Sequence, residues 1–247
     1  VARSKPKVPA WPRRSCSKAR IARIAAEEGV AQLVHLSAIG ASAASESIYA
    51  RTKAAGEAGI LAHFPQAIIL RPSVIFGAED QFFNRFAGMA RLSPAIPVVG
   101  GATRFQPVHV DDVAQAAAKA AMGLAEPGIY ELGGPEVASF RELMALMLRV
   151  IRRRRLILGI PFGIASVMAA VMEFVETITF GLVPPQITRD QVRSLRSDNV
   201  VSVGARTFSD LGIDPVAMEA VLPDYLWRFR TAGQYEAIHE SARNLRA

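Results

Sequence analysis

The spacing of apolar residues changes period several times along this chain. Between Ala19 and Gly29 the residues Ile21, Ile24 and Ala25 fall on one side at helical spacing, and Gly29 stands where a helix would stop. Gln32 to Ser37 is then a short apolar run bounded by Gly29 and by the small-residue stretch Ala38 to Ser47, which predicts a buried strand ending at Ser37. Ser47 to Glu57 returns to a helical pattern. Ala67 to Gly77 is a second buried strand, broken at Pro72. The order helix, strand, helix, strand predicts an α/β fold with a parallel sheet covered by helices, in which ligands sit beyond the carboxyl ends of the strands. Ser37 and Pro72 mark two of those ends.

Further along, Asp111 and Asp112 precede the Ala-rich run Val113 to Ala118, so one of the two is expected to cap that helix rather than act as a catalytic carboxylate. His109, in an alternating segment, reads as a core or cleft histidine rather than a ligand. Tyr130 to Pro135 reads as the last strand and its turn. Ser139 is a good N-cap for a helix from Phe140 to Ile151, with Glu142 at the third position to complete a capping box. That helix runs into four arginines, Arg152 to Arg155. The uncharged stretch that follows, Leu156 to Met172, is shorter than the ~20 residues that cross a bilayer and contains Gly159, Pro161 and Gly163. Two readings stand side by side: an amphipathic segment attached peripherally to an anionic membrane or a hydrophobic partner, with Arg152, Arg153, Arg154 and Arg155 supplying charge, or a strand from Arg155 to Ile160 followed by a helix that covers this protein's own lobe.

Chemistry enters with Tyr49 and Lys53. A phenol and an ammonium four residues apart share one helix face. A phenol of ordinary pKa, about 10, is a poor base at neutral pH, and Lys53 is expected to supply the cation that favours the phenolate. By itself the spacing also fits a half-buried Tyr beside a solvated Lys.

Ser37 at a strand end, Tyr49 with Lys53, and Arg71-Pro72-Ser73-Val74-Ile75-Phe76-Gly77 together resemble the short-chain dehydrogenase/reductase superfamily, in its extended or atypical, epimerase/dehydratase-like branch. Phe105 to Ala114 is similar to a later landmark of that superfamily. Gly77 to Phe86 with Phe105-Gln106-Pro107, Ser197 to Val201, and Leu222 to Arg228 resemble the accessory Rossmann-type subunits of respiratory complex I and their bacterial relatives. The resemblance runs from about Ala19 to Tyr235. It implies a Rossmann-like parallel sheet with a smaller, mostly helical C-terminal lobe, and NADP(H) or NAD(H) as cofactor. It also implies Ser37, Tyr49 and Lys53 as catalytic residues, with Tyr49, Lys53, Pro72, Ser73 and Val74 beside the dinucleotide.

The Gly-rich turn that opens a dinucleotide fold does not occur, because the first glycine is Gly29 and residues 1–18 are basic and Pro-bearing without apolar periodicity. The expectation is therefore an N-terminally truncated Rossmann-like domain. Residues 1–18 would be an unmatched disordered segment, residues 19–151 the remaining part of the sheet domain, with 77–105 contributing to the lobe, and residues 152–247 the lobe. A truncated reading frame and a genuine short variant both fit.

Composition narrows the partners. The chain has 247 residues, is 51% hydrophobic and 21% charged, and so has enough apolar content for a core. One cysteine, Cys16, excludes an internal disulfide and Cys-based metal sites, and the four His show no zinc spacing. The net charge of +7 comes largely from the N-terminus and from Arg149 to Arg155, and the basic runs lack the interleaved aromatics of nucleic-acid readers. Pro6, Pro9 and Pro12 argue against a transit-peptide helix, and no apolar run follows the N-terminal charges as a secretory signal would require. A cytoplasmic location is expected, or one peripheral to the inner membrane, on the matrix side in a eukaryote. Three functions fit: a nicotinamide-dinucleotide-binding accessory subunit with a structural or quinone-linked role, an active NAD(P)-dependent reductase, and a sugar-nucleotide epimerase or dehydratase.

Overall fold

The computed structural model describes residues 13–179, 182, 185, 187–231 and 233–235. In chain order the elements are α1 (Arg13–Glu27), β1 (Val34–Leu36), α2 (Ile48–Leu61), β2 (Ile68–Pro72), β3 (Ile75–Phe76), α3 (Phe83–Leu92), β4 (Ala95–Val99), β5 (Arg104–Phe105), β6 (Val108–His109) and α4 (Val110–Ala121). There follow β7 (Gly128–Leu132), β8 (Ala138–Ser139), α5 (Phe140–Val150), β9 (Leu156–Ile160), α6 (Phe162–Ile178), α7 (Arg189–Ser194) and α8 (Met218–Leu226).

A parallel sheet in the order β1-β2-β7 forms the centre, with Ile68, Ile69 and Leu70 fully buried in its middle strand. Such a strand has both faces covered, which is why it reads as a continuous apolar run. One face packs on α4 and the segment carrying Phe208, Leu211 and Ile213; the other packs on α1 and α2 through Ala22, Ile60 and Phe64. The helices α1 and α2 approach closely because α2 carries glycines at the contact: a Cβ on Gly59 would lie 3.1 Å from the Cβ of Ala19, and one on Gly56 would lie 2.9 Å from Cδ of Lys18. The lobe has its own core, in which α3, β4, α5 and α8 enclose Phe83, Ile96, Met144, Met147 and Leu222.

Several expectations need correction. The sheet strand read as buried, Gln32 to Ser37, is shorter and lies at the edge, with its residues only part-buried and Leu36 46% exposed. Helix α1 begins at Arg13, so residues 13–18 of the segment expected to be disordered are helical, while residues 1–12 lie outside the described residues. The N-cap of α4 is His109, and Asp112 lies inside the first turn, buried, where its carboxylate accepts the backbone N–H of Val216 at 2.9 Å. It ties the C-terminal segment down instead of capping its own helix. The capping box on α5 forms as the sequence predicts, with Ser139 Oγ accepting from Glu142 N and the Glu142 carboxylate accepting from Ser139 N at 2.7 Å. After Arg155 the chain forms a strand, β9, paired in parallel with β4, and then α6.

The four arginines divide. Arg153 Nε donates to the carbonyl of Phe229 at 2.7 Å and Arg155 Nε to that of Ala90 at 2.8 Å, so both hold the lobe together. They are not part of an open basic patch. Arg152 and Arg154 are the exposed members.

Candidate functional site

Tyr49 and Lys53 stand on α2, whose N-cap Ser47 accepts the backbone N–H of Ala50. The rest of that helix start is held from the lobe. Asp190, in the first turn of α7, accepts the N–H of Ile48 at 2.6 Å through one oxygen and the N–H of Tyr49 at 3.0 Å through the other, which also takes the Ser47 hydroxyl at 3.1 Å. A carboxylate on free N–H groups at a helix N-terminus is favoured by hydrogen bonding and by the helix dipole. Burial works against the Asp190 carboxylate, but the Ile48 and Tyr49 N–H groups and the Ser47 hydroxyl hold its pKa below the usual range. Ser194, at the other end of α7, donates its hydroxyl to Ser47 Oγ at 2.9 Å.

The phenol of Tyr49 is half exposed and makes no hydrogen bond to the described residues. Lys53 Nζ lies over the Tyr49 ring, 5.5 Å from its centre, and donates to the carbonyl oxygen of Ser37 at 3.2 Å. The expectation that Lys53 brings the phenol toward the phenolate is not met in this arrangement. Burial raises the Tyr49 pKa, and Lys53 itself is pushed down by burial and by the charge of Lys18, against the opposing pull of Glu57.

Ser37 does not face Tyr49's open side. Its hydroxyl donates to the carboxylate of Glu57, a residue only 4% exposed. Glu57 also receives Nε and Nη2 of Arg71 at 3.0 and 2.6 Å, and Arg71 reaches Glu131 at 3.4 Å. Buried charges persist when paired and hydrogen-bonded, and here one arginine serves two carboxylates. Glu131 is completed by the N–H of Ser202 at 2.8 Å. His35, in β1, sits beside the same group; burial, then the charges of Lys18 and Lys53, lower its pKa to about 4, and its Nε2 is buried without a partner among the described residues.

Pro72, Ser73 and Val74 follow the carboxyl end of β2. Pro72 accepts the N–H of Ile39, and Ser73 donates its hydroxyl to Asn199 Oδ1 at 2.6 Å. Asn199 is the residue that the sequence motifs left without a role. Its N–H donates to the Arg104 carbonyl, its carbonyl takes the N–H of Gln106, and Gln106 Oε1 takes the N–H of Val201. The segments Ser197 to Val201 and Phe105 to Pro107 thus lock together beside β2. Likewise Gly77 to Phe86 meets Leu222 to Arg228: Tyr225 donates to Asp80 at 2.6 Å, and Arg228 donates to the Ala78 carbonyl and to Asn84.

Between these elements lies a cleft of about 500 Å³ lined by Ile39, Gly40, Ser45 to Ala50 in part, Val74, Phe105 and the segment Arg193 to Asn199. Tyr49 opens into it; Ser37 and Lys53 are not among its lining residues. Asp190, Glu57 and Asn199 are functional neighbours that local motifs cannot disclose, because their partners lie far away in the chain. The one local hint is Thr188 with Gln191, a capping box that predicts the start of α7 and places Asp190 in its first turn.

A family model described as the RmlD substrate binding domain matches residues 40–173. The chain is 36% identical over 220 residues to NADH dehydrogenase [ubiquinone] 1 alpha subcomplex subunit 9, mitochondrial, of Arabidopsis thaliana, covering 87% of this chain and 55% of that protein. It is 29% identical to the NADH-ubiquinone oxidoreductase 40 kDa subunit of Neurospora crassa, covering 88% of this chain and 56% of that one. The chain therefore spans about half the length of these curated relatives. Among solved structures it is similar to a Thermus thermophilus UDP-glucose 4-epimerase complexed with NAD, with TM-score 0.59, 16% identity, and coverage of 87% of this chain and 69% of that one. That likeness shows the Rossmann-like fold.

Proposed function

Because this chain belongs to the RmlD substrate binding domain family, within the extended short-chain dehydrogenase/reductases, we propose that it is part of a nicotinamide-dinucleotide-binding accessory subunit of a membrane quinone-reducing complex, with a structural role. The observation that carries the structural role is the direction of the Ser37 hydroxyl. It is committed to Glu57 in a buried ion-paired group, while Tyr49 carries a raised pKa and Lys53 is turned to a backbone carbonyl. An active reductase would instead need Ser37 and Tyr49 to converge on one substrate oxygen. The partner reading draws support from the relatives, whose names make them mitochondrial subunits of NADH dehydrogenase or NADH-ubiquinone oxidoreductase; a place peripheral to the membrane is part of the proposal. No helix among the described residues is long and apolar enough to cross a membrane.

The residues fit one half of a dinucleotide. Lys53 donates one of its three N–H groups to the Ser37 carbonyl, which leaves two that would serve ribose hydroxyls, and Tyr49 and Val74 line the cleft at the carboxyl end of β2, where Pro72 and Ser73 precede Val74 in the chain. Among the described residues no glycine turn stands at a helix N-terminus to take the diphosphate, and β1 is left at the sheet edge where that half of a Rossmann-like fold would pair. When bound, the nicotinamide would supply hydride chemistry; this chain's own residues orient its ribose and shield one side.

Isothermal titration tests the reading. The 247-residue chain is expected to bind NADPH and NADH weakly, and a protein carrying an additional upstream Gly-rich half is expected to bind one of them tightly. Equal, tight binding by the chain alone would require another segment to do the work of that half.

A further inference from the structure

A second cavity lies in the lobe, and its chemistry is opposite to that of the cleft. It has a volume of about 380 Å³, within the range of small-molecule sites, and its walls are formed by side chains such as Phe82, Phe86, Met89, Phe140, Met168 and Met172. Among the described residues that line it, Arg85 is the one charged side chain, and Gln191 and Ser194 are the other polar ones. Val74, Phe105, Ser194 and Leu195 line both this cavity and the cleft that holds Tyr49, so the two spaces share a wall.

We propose that this cavity receives the aliphatic chain of an amphiphile whose polar head lies in the Tyr49 cleft. A sugar or a nucleotide would find only Arg85, Gln191 and Ser194 for its many hydroxyls and phosphates, and the polar groups left unpaired against the apolar walls would be costly. An unbranched or isoprenoid chain needs only contact. Flexible Met side chains from α3 and α6 suit an occupant of variable shape, since methionine repacks more readily than branched residues. The position of α7 adds a consequence: Gln191, Ser194 and Leu195 line the cavity, while Asp190 on the same helix holds the N–H groups of Ile48 and Tyr49. Chain occupancy is thereby felt at the start of the helix that carries Tyr49. The inference rests on the Tyr49 cleft being the ligand site, but it concerns apolar binding and not the nucleotide.

The test uses the full chain without nucleotide, so that its outcome is separate from cofactor binding. Fluorescent cis-parinaric acid is titrated into the protein and then displaced with hexadecanol, geranylgeraniol or UDP-glucose. Saturable binding displaced by either aliphatic alcohol and not by UDP-glucose is expected, and the stronger of the two competitors distinguishes an acyl from an isoprenoid occupant. Met168→Glu, which places a charge at a residue already 39% exposed, is expected to weaken parinarate by about tenfold or more while leaving the thermal transition in place. Photolabelling with an aliphatic diazirine is expected to mark peptides from α3 and α6. No saturable binding, displacement by UDP-glucose alone, or labelling confined to the outer surface of α6 would overturn the proposal.

Discussion

Arg71 is the residue on which most of the buried polar group depends. It is the cation that two carboxylates share, with 19% of its side chain exposed against 5% for Glu57 and 8% for Glu131. Arg71→Ala would leave both carboxylates buried without their cation, and a loss of about 3 to 5 kcal/mol in urea unfolding is expected. A loss under ~1 kcal/mol would mean that water replaces the guanidinium. His35 gives a second test at this scale, facing Lys18 from α1 and Lys53 and Glu57 from α2. Its pKa in the folded chain is lowered from 6.5 to about 4, so above 6.5 neither state carries the proton and the group contributes no pH dependence. As pH falls from 6.5 toward 4, the unfolded chain takes up a proton that the folded chain refuses, and stability falls. Urea midpoints measured across that window should decline for the parent and flatten for His35→Gln; identical slopes would place the acid sensitivity elsewhere. Tyr49 and Lys53 were legible because their relation is local, four residues on one helix. Glu57, on that same helix, was not, since nothing nearby in sequence indicates that Ser37 and Arg71 converge on it.

At the scale of elements, the stretch after the arginines follows the strand-then-helix reading, with α6 after β9. It forms as a helix over its own lobe, burying Ala165 and Ala169. Yet Ile164, Val167, Val171, Phe174 and Ile178 recur at alternating spacings of three and four and remain 57 to 66% exposed. That spacing is the seam of a helix–helix contact. Under the proposed function this row is where a partner subunit would dock, and co-purification set against liposome binding decides between that and lipid. Replacing Val171 and Phe174 with Ser should change the melting temperature little, because exposed positions contribute within about 0.5 kcal/mol. It should abolish co-purification with the membrane complex. Retained co-purification would assign the row to another role, and loss of binding to protein-free anionic liposomes alone would assign it to lipid. A strand from Arg155 to Ile160 followed by a helix was one of the two readings of this stretch, and the helix begins after Pro161. Which face stayed open was not legible, because periodicity places apolar residues on a face without saying what covers it.

For the whole molecule, the alternation of strands and helices predicted the parallel arrangement, which the β1-β2-β7 sheet has. The landmark segments near Gly77, Phe105, Ser197 and Leu222 turn out to be the joints of the lobe and cleft, held by Asp80 to Tyr225 and by Asn199 to Ser73. Their pairing is a matter of distance in space, and no local pattern encodes it. In the proposed function the subunit holds a dinucleotide and does not turn it over. The most direct measurement follows the fluorescence of tightly bound reduced nicotinamide in complex purified from native membranes while quinone is supplied, in the parent and in Tyr49→Phe. The bound nucleotide is expected to stay reduced in both. Oxidation on the timescale of quinone turnover in the parent, and its loss in Tyr49→Phe, would contradict that reading and make this subunit an enzyme.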